Sequence, residues 1–565
     1  MKRTGKENGD TKGFVSGVFL LSASTLIVKI IGLAYKIPMI ELLGAVGMGY
    51  FNSAYEIYAT LCVISTAGLP VALSMLVSSR IQNRNGYGVR RIYRWAFALF
   101  LLIGAVGSLA MAVFAEEISL YIENPDARAC ITAISPSLVC VCAASAVRGY
   151  YQGMGRMMPT AASQLIEALS KLVFGVIFAT YALRRGYSIA LSAAYAVLGL
   201  SLGTLLSALF LIIYKAADGG DKRKTSVDGR VADGEERGIL KRLFAIAVPI
   251  TLGSAVLSVT RIIDMTLLMK RLGDVGYTSY EVNEIYGAYT TLSLPVFSLI
   301  PSLVAPISLA LIPRLSAAVD SKNAEGQSAV VRSAMRLTTL FAMPASVGVA
   351  VYAERILGLL FKNQREAVDI ASPLLAVLGI SVLFSCVITT TNAILQAYSK
   401  TVKPIISMAV GAVVKIVLAY YLLGNPDIAI WGAPISTLAC DVVITAINIY
   451  YVNKYVPRTD GISRLYVRPF AASLAMMAVS FSAYLLVLRA VGSASIAFLV
   501  AMAAALPAYL LFAAVFGALE EGDLADIPLG EKVLFVSRKL GLFDKDKNTE
   551  NISAELPSER KIKWK

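Results

Sequence analysis

The chain contains no histidine. That removes the commonest general base, the usual zinc ligand, and the Ser-His and Cys-His nucleophile arrangements. Charge is also sparse: 16% of residues are Asp, Glu, Lys or Arg, while 57% are hydrophobic and mean hydropathy is +0.68. A soluble chain of 565 residues would need far more polar surface. Cysteine is limited to Cys62, Cys130, Cys140, Cys142, Cys386 and Cys440. All six sit in or beside apolar segments without paired loop spacing, so they read as core thiols rather than disulfides or a metal site. No G-x-x-x-x-G-K-[ST] occurs, which leaves no recognisable ATP site. GLSLG at Gly199 matches a nucleophile-elbow pattern only in its letters, since it lies inside an apolar run without strand context. No catalytic residue, metal or cofactor is expected. A cleaved signal is not expected either: MKRTGKENGDTKG is polar and basic, and the apolar stretch behind it is too long and lacks an A-x-A site.

What the sequence does have is apolar segments of about 20 residues from end to end, each long enough to span a bilayer core as a helix. Short alternating stretches, the mark of a β-barrel, are absent. The fold expected is an all-α polytopic membrane protein with about fourteen spans. They lie near 14–43, 50–79, 92–114, 130–151, 158–182, 188–214, 241–270, 284–312, 333–353, 371–398, 403–423, 427–451, 466–489 and 494–518. Placing the N-terminus in the cytoplasm puts 29 basic residues in that terminus and the even-numbered loops, nine in the C-terminal tail and nine in the external loops. By the positive-inside rule both termini are expected to be cytoplasmic, in a bacterial plasma membrane. The net charge of +15 then belongs mostly to that face and favours anionic lipids as neighbours. Nucleic acid is not an expected partner, because no soluble domain exists to carry it.

Residues 215–240 are polar and read as a cytoplasmic linker between two halves. The expected division is an N-terminus (1–13), an N-lobe (14–214), the linker, a C-lobe (241–451), a helix pair (452–518) and a cytoplasmic tail (519–565). Within the tail, IPLGEKVLFVSRKLGLF reads as a short amphipathic helix on the membrane face. The halves resemble each other. YYQGMGRMMP precedes the fifth span and LQAYSKTVKP precedes the eleventh. Gln152 corresponds to Gln396, Arg156 to Lys400, Pro159 to Pro404 and Lys171 to Lys415. PVALSMLVS at Pro70 matches PISLALIPRLS at Pro306 more weakly. Six helices per half keep both halves in one orientation, which implies a parallel repeat with a substrate path between them.

Charged residues inside spans are costly, about 2.5–3.5 kcal/mol each at mid-bilayer on insertion scales, so they face protein or water. The basic ones are Lys29, Lys36, Lys171, Arg261 and Lys415. The acidic ones are Glu56, Glu167, Asp264 and Asp441. Glu167 with Lys171 (i, i+4) and Arg261 with Asp264 (i, i+3) are spaced to pair on their own helices. Lys415 and Asp441, on neighbouring spans, form a third candidate pair. Lys29 and Lys36 are two turns apart on one face, with no carboxylate at i±3 or i±4; Glu56 on the next span is the available partner for one of them. The economical account is a wet cavity with cationic walls, suited to an anionic and above all a phosphate-bearing substrate.

The stretch YKIPMIELLGAVGMGYFNSAYEIYATLCVISTAGLPVALSMLVSSR, from Tyr35 to Arg80, resembles the stage V sporulation protein B and polysaccharide-biosynthesis group. That group is part of the multidrug/oligosaccharidyl-lipid/polysaccharide exporter superfamily, which includes MATE exporters. The resemblance covers about 1–545 and implies a flippase related to the MurJ-type lipid II flippases. It implies two lobes around a cationic central cavity, with a hydrophobic groove at the last two helices. Lys29 and Lys36 stand where those proteins carry basic residues, usually arginine, on the first helix. Tyr289 stands near the place of a basic residue on their eighth helix. The substrate implied is a polyprenyl-pyrophosphate-linked glycan, lipid II or a relative, with cell-wall synthesis proteins as candidate partners. A cation- or proton-coupled multidrug exporter of the same superfamily, or a non-transporting scaffold for glycan synthesis, remains the alternative.

Overall fold

The computed structural model describes residues 4–82, 86–218, 238–457 and 462–519. The expected linker mostly, and the expected tail helix entirely, fall outside these residues. Among the described residues no strand occurs and thirteen candidate membrane spans are found. The helices are α1 (Thr4–Thr66), α2 (Leu69–Gln82), α3 (Gly86–Val113), α4 (Ala115–Tyr121), α5 (Arg128–Gly153), α6 (Met158–Arg184), α7 (Ile189–Ala217) and α8 (Ile239–Val275). They continue as α9 (Ser279–Ala288), a π-helical turn (Tyr289–Ser293), α10 (Leu294–Asp320), α11 (Ala324–Leu360), α12 (Arg365–Ala397), α13 (Val402–Leu423), α14 (Gly432–Tyr455), α15 (Ile462–Val491) and α16 (Ala494–Val515).

The first candidate span, Ser24–Ile81, is 58 residues long, enough for two crossings of about 20 residues each. It is a hairpin. Gly44 has φ 66° and ψ 177°, a conformation open essentially to glycine alone. Tyr35 and Phe51 flank that turn with ring centroids 6.2 Å apart. A straight helix would put sixteen residues about 24 Å apart. The two arms of α1 therefore run antiparallel, and the expected count of fourteen crossings stands. The second crossing is itself interrupted at Gly68, ahead of Pro70. A Cβ on Gly68 would lie 2.1 Å from the Ala247 carbonyl oxygen of α8, so only glycine admits that approach.

By internal contacts the described residues form two compact units, divided so that 335–347 join the described residues after 460 and the rest make up the first unit. In the second unit α15 packs along α16, with the Ser480 hydroxyl donating to the Ala501 carbonyl at 3.0 Å and the Tyr509 hydroxyl to the Leu340 carbonyl at 2.8 Å. The first unit holds α1 against α5 to α10. A close crossing sets the second arm of α1 against α9: a Cβ on Gly287 would meet the Ala45 carbonyl at 1.8 Å, and one on Gly49 the Asn283 carbonyl at 2.4 Å. Beside it, the buried Asn124 amide donates to Asn283 Oδ1 at 2.7 Å and to Ser53 Oγ at 3.0 Å, so the polar groups of this crossing are satisfied. All six cysteines are free, and Cys130, Cys142, Cys386 and Cys440 are buried.

The stretches matched in the sequence end their helices in the same way, a form that also closes α6, α8 and α10. At the end of α5 the Arg156 amide donates to the Tyr151 carbonyl and the Gly155 amide to that of Gln152, both at 2.9 Å. At the end of α12 the Lys400 amide donates to Leu395 and the Ser399 amide to Gln396, again both at 2.9 Å. These are two copies of the Schellman helix ending, with Gly155 (φ 73°) and Ser399 (φ 56°) at the left-handed position. Of the matched basic residues one pair behaves alike, while Lys171 pairs with a carboxylate of its own helix and Lys415 with one of α8. Arg156 lies over the Tyr151 and Tyr214 rings and Lys400 over the Tyr455 ring, 5.2 Å from its centroid. The weaker match is less exact: Pro70 comes after a helix break, whereas Pro306 lies inside the continuous α10.

Candidate functional site

A cavity of about 780 Å³ lies within the first unit, between both arms of α1 and helices α5, α6, α7, α8 and α10 with its π-helical lead-in. Among its lining residues are Lys29, Lys36, Arg148, Lys171 and Arg261 on the basic side, and Glu56 and Glu167 on the acidic side. Four of the five basic residues expected in a cationic cavity thus meet in one. Lys415 does not line it, and neither do Asp264 or Asp441.

The acids in the wall are engaged. Glu167 accepts from Lys171 Nζ at 2.6 Å, the i, i+4 pair read from the sequence. It also accepts from Arg148 Nη2 at 2.9 Å. Arg148 is held further by Ser163 and Ser207, each at 3.0 Å. It was not among the expected site residues because it sits in the last turns of its apolar segment, where a basic residue reads as a loop flank. Glu56 pairs with Arg261, Oε2 to Nε at 3.7 Å.

Three expected pairings turn out differently. Arg261 does not join Asp264 on its own helix. Long helical side chains lean toward the N-terminus, and Arg261 accordingly reaches back, with Nη2 donating to Ser258 Oγ at 3.2 Å and Nε facing Glu56. Asp264, left without it, forms an ion pair with Lys415 of α13. That in turn leaves Asp441 without Lys415: its Oδ2 accepts from Ser381 at 2.5 Å and Ser385 at 2.6 Å. Glu56, expected to serve a lysine of the first helix, has Arg261 as its ion-pair partner and acts on Lys36 only through its nearby charge.

Lys29 and Lys36 each donate to a neutral oxygen. Lys29 Nζ bonds the Ser302 hydroxyl, and Lys36 Nζ bonds the Thr290 carbonyl oxygen at 2.6 Å. The second bond has a backbone cause. In the π-helical turn the Leu294 amide donates to the Tyr289 carbonyl, one residue further back than in an α-helix. The Thr290 carbonyl has thereby lost its α-helical donor. Its π-helical donor would be residue 295, which is proline and has no N–H. Lys36 takes that vacant place. Asn52 Nδ2 secures the same turn through Thr290 Oγ1 at 2.9 Å and Thr291 Oγ1 at 2.8 Å. Tyr289, expected near a basic position of the eighth helix, is buried at the start of the turn and is not a cavity-lining residue. The hydroxyl of the cavity-lining Tyr35 is buried with no hydrogen-bond partner among the described residues.

An ammonium has three donors. Lys29 and Lys36 spend one each on an uncharged acceptor, so each keeps capacity for an anion without first breaking an ion pair. Lys171 and Arg148 share Glu167 and Arg261 pairs with Glu56, so these three define the walls. With five cations against two carboxylates, the chamber carries an excess of positive charge in a low-dielectric setting, where attraction for an anionic group is strong.

Comparison with known proteins agrees with this architecture. Residues 14–319 match the family model described as Polysaccharide biosynthesis protein, and residues 249–421 match the MatE model. The lipid II flippase MurJ of Bacillus subtilis is 26% identical over 421 residues, 71% of this chain and 76% of that protein. Stage V sporulation protein B of the same organism is 22% identical over 524 residues, 91% of this chain and 98% of the relative. The solved structure of lipid II flippase MurJ in an inward closed conformation superposes with a TM-score of 0.67 at 16% identity, covering 88% of this chain and 98% of that one. With more than half of its length matched by the first model, the chain is a multi-pass membrane protein of the polysaccharide biosynthesis protein family.

Proposed function

We propose that the protein is a flippase that carries a polyprenyl-pyrophosphate-linked glycan across the cytoplasmic membrane, with both termini inside. The observation that carries this reading is the pair Lys29 and Lys36, two ammonium groups facing a cavity of about 780 Å³ whose hydrogen bonds among the described residues go to neutral oxygens. A pyrophosphate head supplies the missing negative charge. The glycan fills the remaining volume, and the polyprenyl tail stays among acyl chains outside. Family membership and likeness to a lipid II flippase support the same substrate class. Movement comes from alternating exposure of the cavity, as in transporters built from internal repeats. Anionic lipids of the inner leaflet and cell-wall synthesis proteins are its expected neighbours.

The test is reconstitution in vesicles with a labelled polyprenyl-pyrophosphate glycan, following its transfer between leaflets. Lys29→Ala and Lys36→Ala should each slow transfer about tenfold to a hundredfold, the worth of one charge-assisted hydrogen bond. Unchanged transfer in both variants would overturn the reading. Efflux of a cationic drug that survives both changes would favour the multidrug-exporter alternative.

A further inference from the structure

Lys36 does two things at once: it faces the cavity and it completes the hydrogen bonding of the π-helical turn. We infer that Lys36 is a substrate-released latch, and that an anionic head group drawing its ammonium away lets the turn 289–293 revert to α-helical register. This inference rests on the proposed substrate class.

The turn has two registers with different orphan groups. In the π register the Leu294 amide serves Tyr289, and the Thr290 carbonyl depends on Lys36. In the α register the Leu294 amide serves Thr290, and Lys36 is no longer needed there. Lys36 therefore selects the π register as long as its nitrogen stays on Thr290. Lys36 can meet a phosphate first with its two free donors, and centring the ammonium on that charged group rather than on Thr290 is then favoured, since a bond between two charged groups is roughly twice as strong as one to a neutral carbonyl. Once the nitrogen leaves, the Thr290 carbonyl in the π register is as open as the Thr291 carbonyl is in the α register, where its donor would be Pro295, and the preference for the π register is lost. Removing one residue from a helical turn rotates the segment before it by about 100° relative to the segment after it. The segment before the turn is α9, which carries Asn283 and Gly287 against the second arm of α1. A register change beside the head group thus acts on the crossing that holds α9 to the hairpin. Packed elements of this kind switch between discrete arrangements rather than deform gradually.

Hydrogen exchange measured by mass spectrometry on the full chain in lipid nanodiscs tests this, using peptides that cover 286–300. Lys36→Ala should speed exchange of the turn about tenfold. Adding Pro295→Ala to Lys36→Ala should return it close to the unmodified rate, because an alanine at that position supplies the N–H that a π-helix directs at Thr290. Pro295→Ala alone is the control: a general stabilising effect of removing the proline would slow exchange equally with and without Lys36, whereas the latch makes the gain larger in the Lys36→Ala background. A polyprenyl pyrophosphate without sugar is the probe, and its binding is measured on the same samples with a radiolabel. Bound lipid should make the unmodified protein exchange like Lys36→Ala and leave the double variant unchanged. If Lys36→Ala does not speed exchange, if Pro295→Ala fails to offset it, or if lipid binds without changing the unmodified protein, the latch is overturned. If the lipid does not bind, it is the pyrophosphate reading of the cavity that falls.

Discussion

Glu167 is the most heavily used carboxylate in the cavity wall. It holds Lys171 at 2.6 Å and Arg148 at 2.9 Å, with all three side chains mostly withdrawn from solvent. Breaking a buried pair from one side leaves an uncompensated charge, a loss of about 3–5 kcal/mol. Glu167→Gln leaves two cations facing each other, so thermal unfolding in detergent should show a marked fall in Tm. Lys29→Ala touches only a serine hydroxyl and should leave Tm nearly unchanged while slowing transfer. The contrast separates residues that hold the cavity together from residues that face its contents. It also marks the limit of sequence reading. Spacing on one helix found Lys171 with Glu167, because i, i+4 neighbours meet without knowledge of the fold. It missed Arg261 with Glu56 and Lys415 with Asp264, since those partners are 205 and 151 residues apart and meet only through packing. Arg148 was hidden for a different reason, its place near a helix end.

At the level of elements, the fourteen crossings were legible because bilayer thickness imposes a length that hydropathy reports directly. The likeness of the halves is read from four matched residues, and the two Schellman endings beside them are shared with α6, α8 and α10, so the endings alone do not mark a repeat. The turn at Gly44 falls where the sequence separates its first two spans, whereas the break at Gly68 and the π-helical turn are departures from regular backbone that a composition window averages away. The paired endings differ in one respect that can be tested. Gly155 adopts the left-handed conformation freely, whereas Ser399 adopts it with a side chain. The left-handed region costs a non-glycine residue roughly 1–2 kcal/mol. Ser399→Gly should therefore raise Tm, partly offset by the greater entropy of glycine in the unfolded chain, and Gly155→Ala should lower it. Equal and opposite trends in a thermal-shift series would show that the two turns are energetic as well as geometric equivalents.

For the molecule as a whole, the lysines and arginines of the cavity are fixed to the protein, so under the proposed function the charge that crosses is that of the head group. A pyrophosphate is negative, and transfer from the inner to the outer leaflet carries negative charge away from an inside that is itself negative. The membrane potential then assists transfer by about 2.3 kcal/mol per charge per 100 mV. In vesicles with the basic faces of the loops inward, an inside-negative potassium diffusion potential should accelerate outward transfer, and an inside-positive one should retard it. Lys29→Ala and Lys36→Ala should lower the rate at every potential without altering the slope of its logarithm against voltage, because neither side chain travels with the cargo. A slope that falls in either variant would mean that a protein charge moves through the field during the cycle, and the fixed-wall picture of the cavity would have to be abandoned.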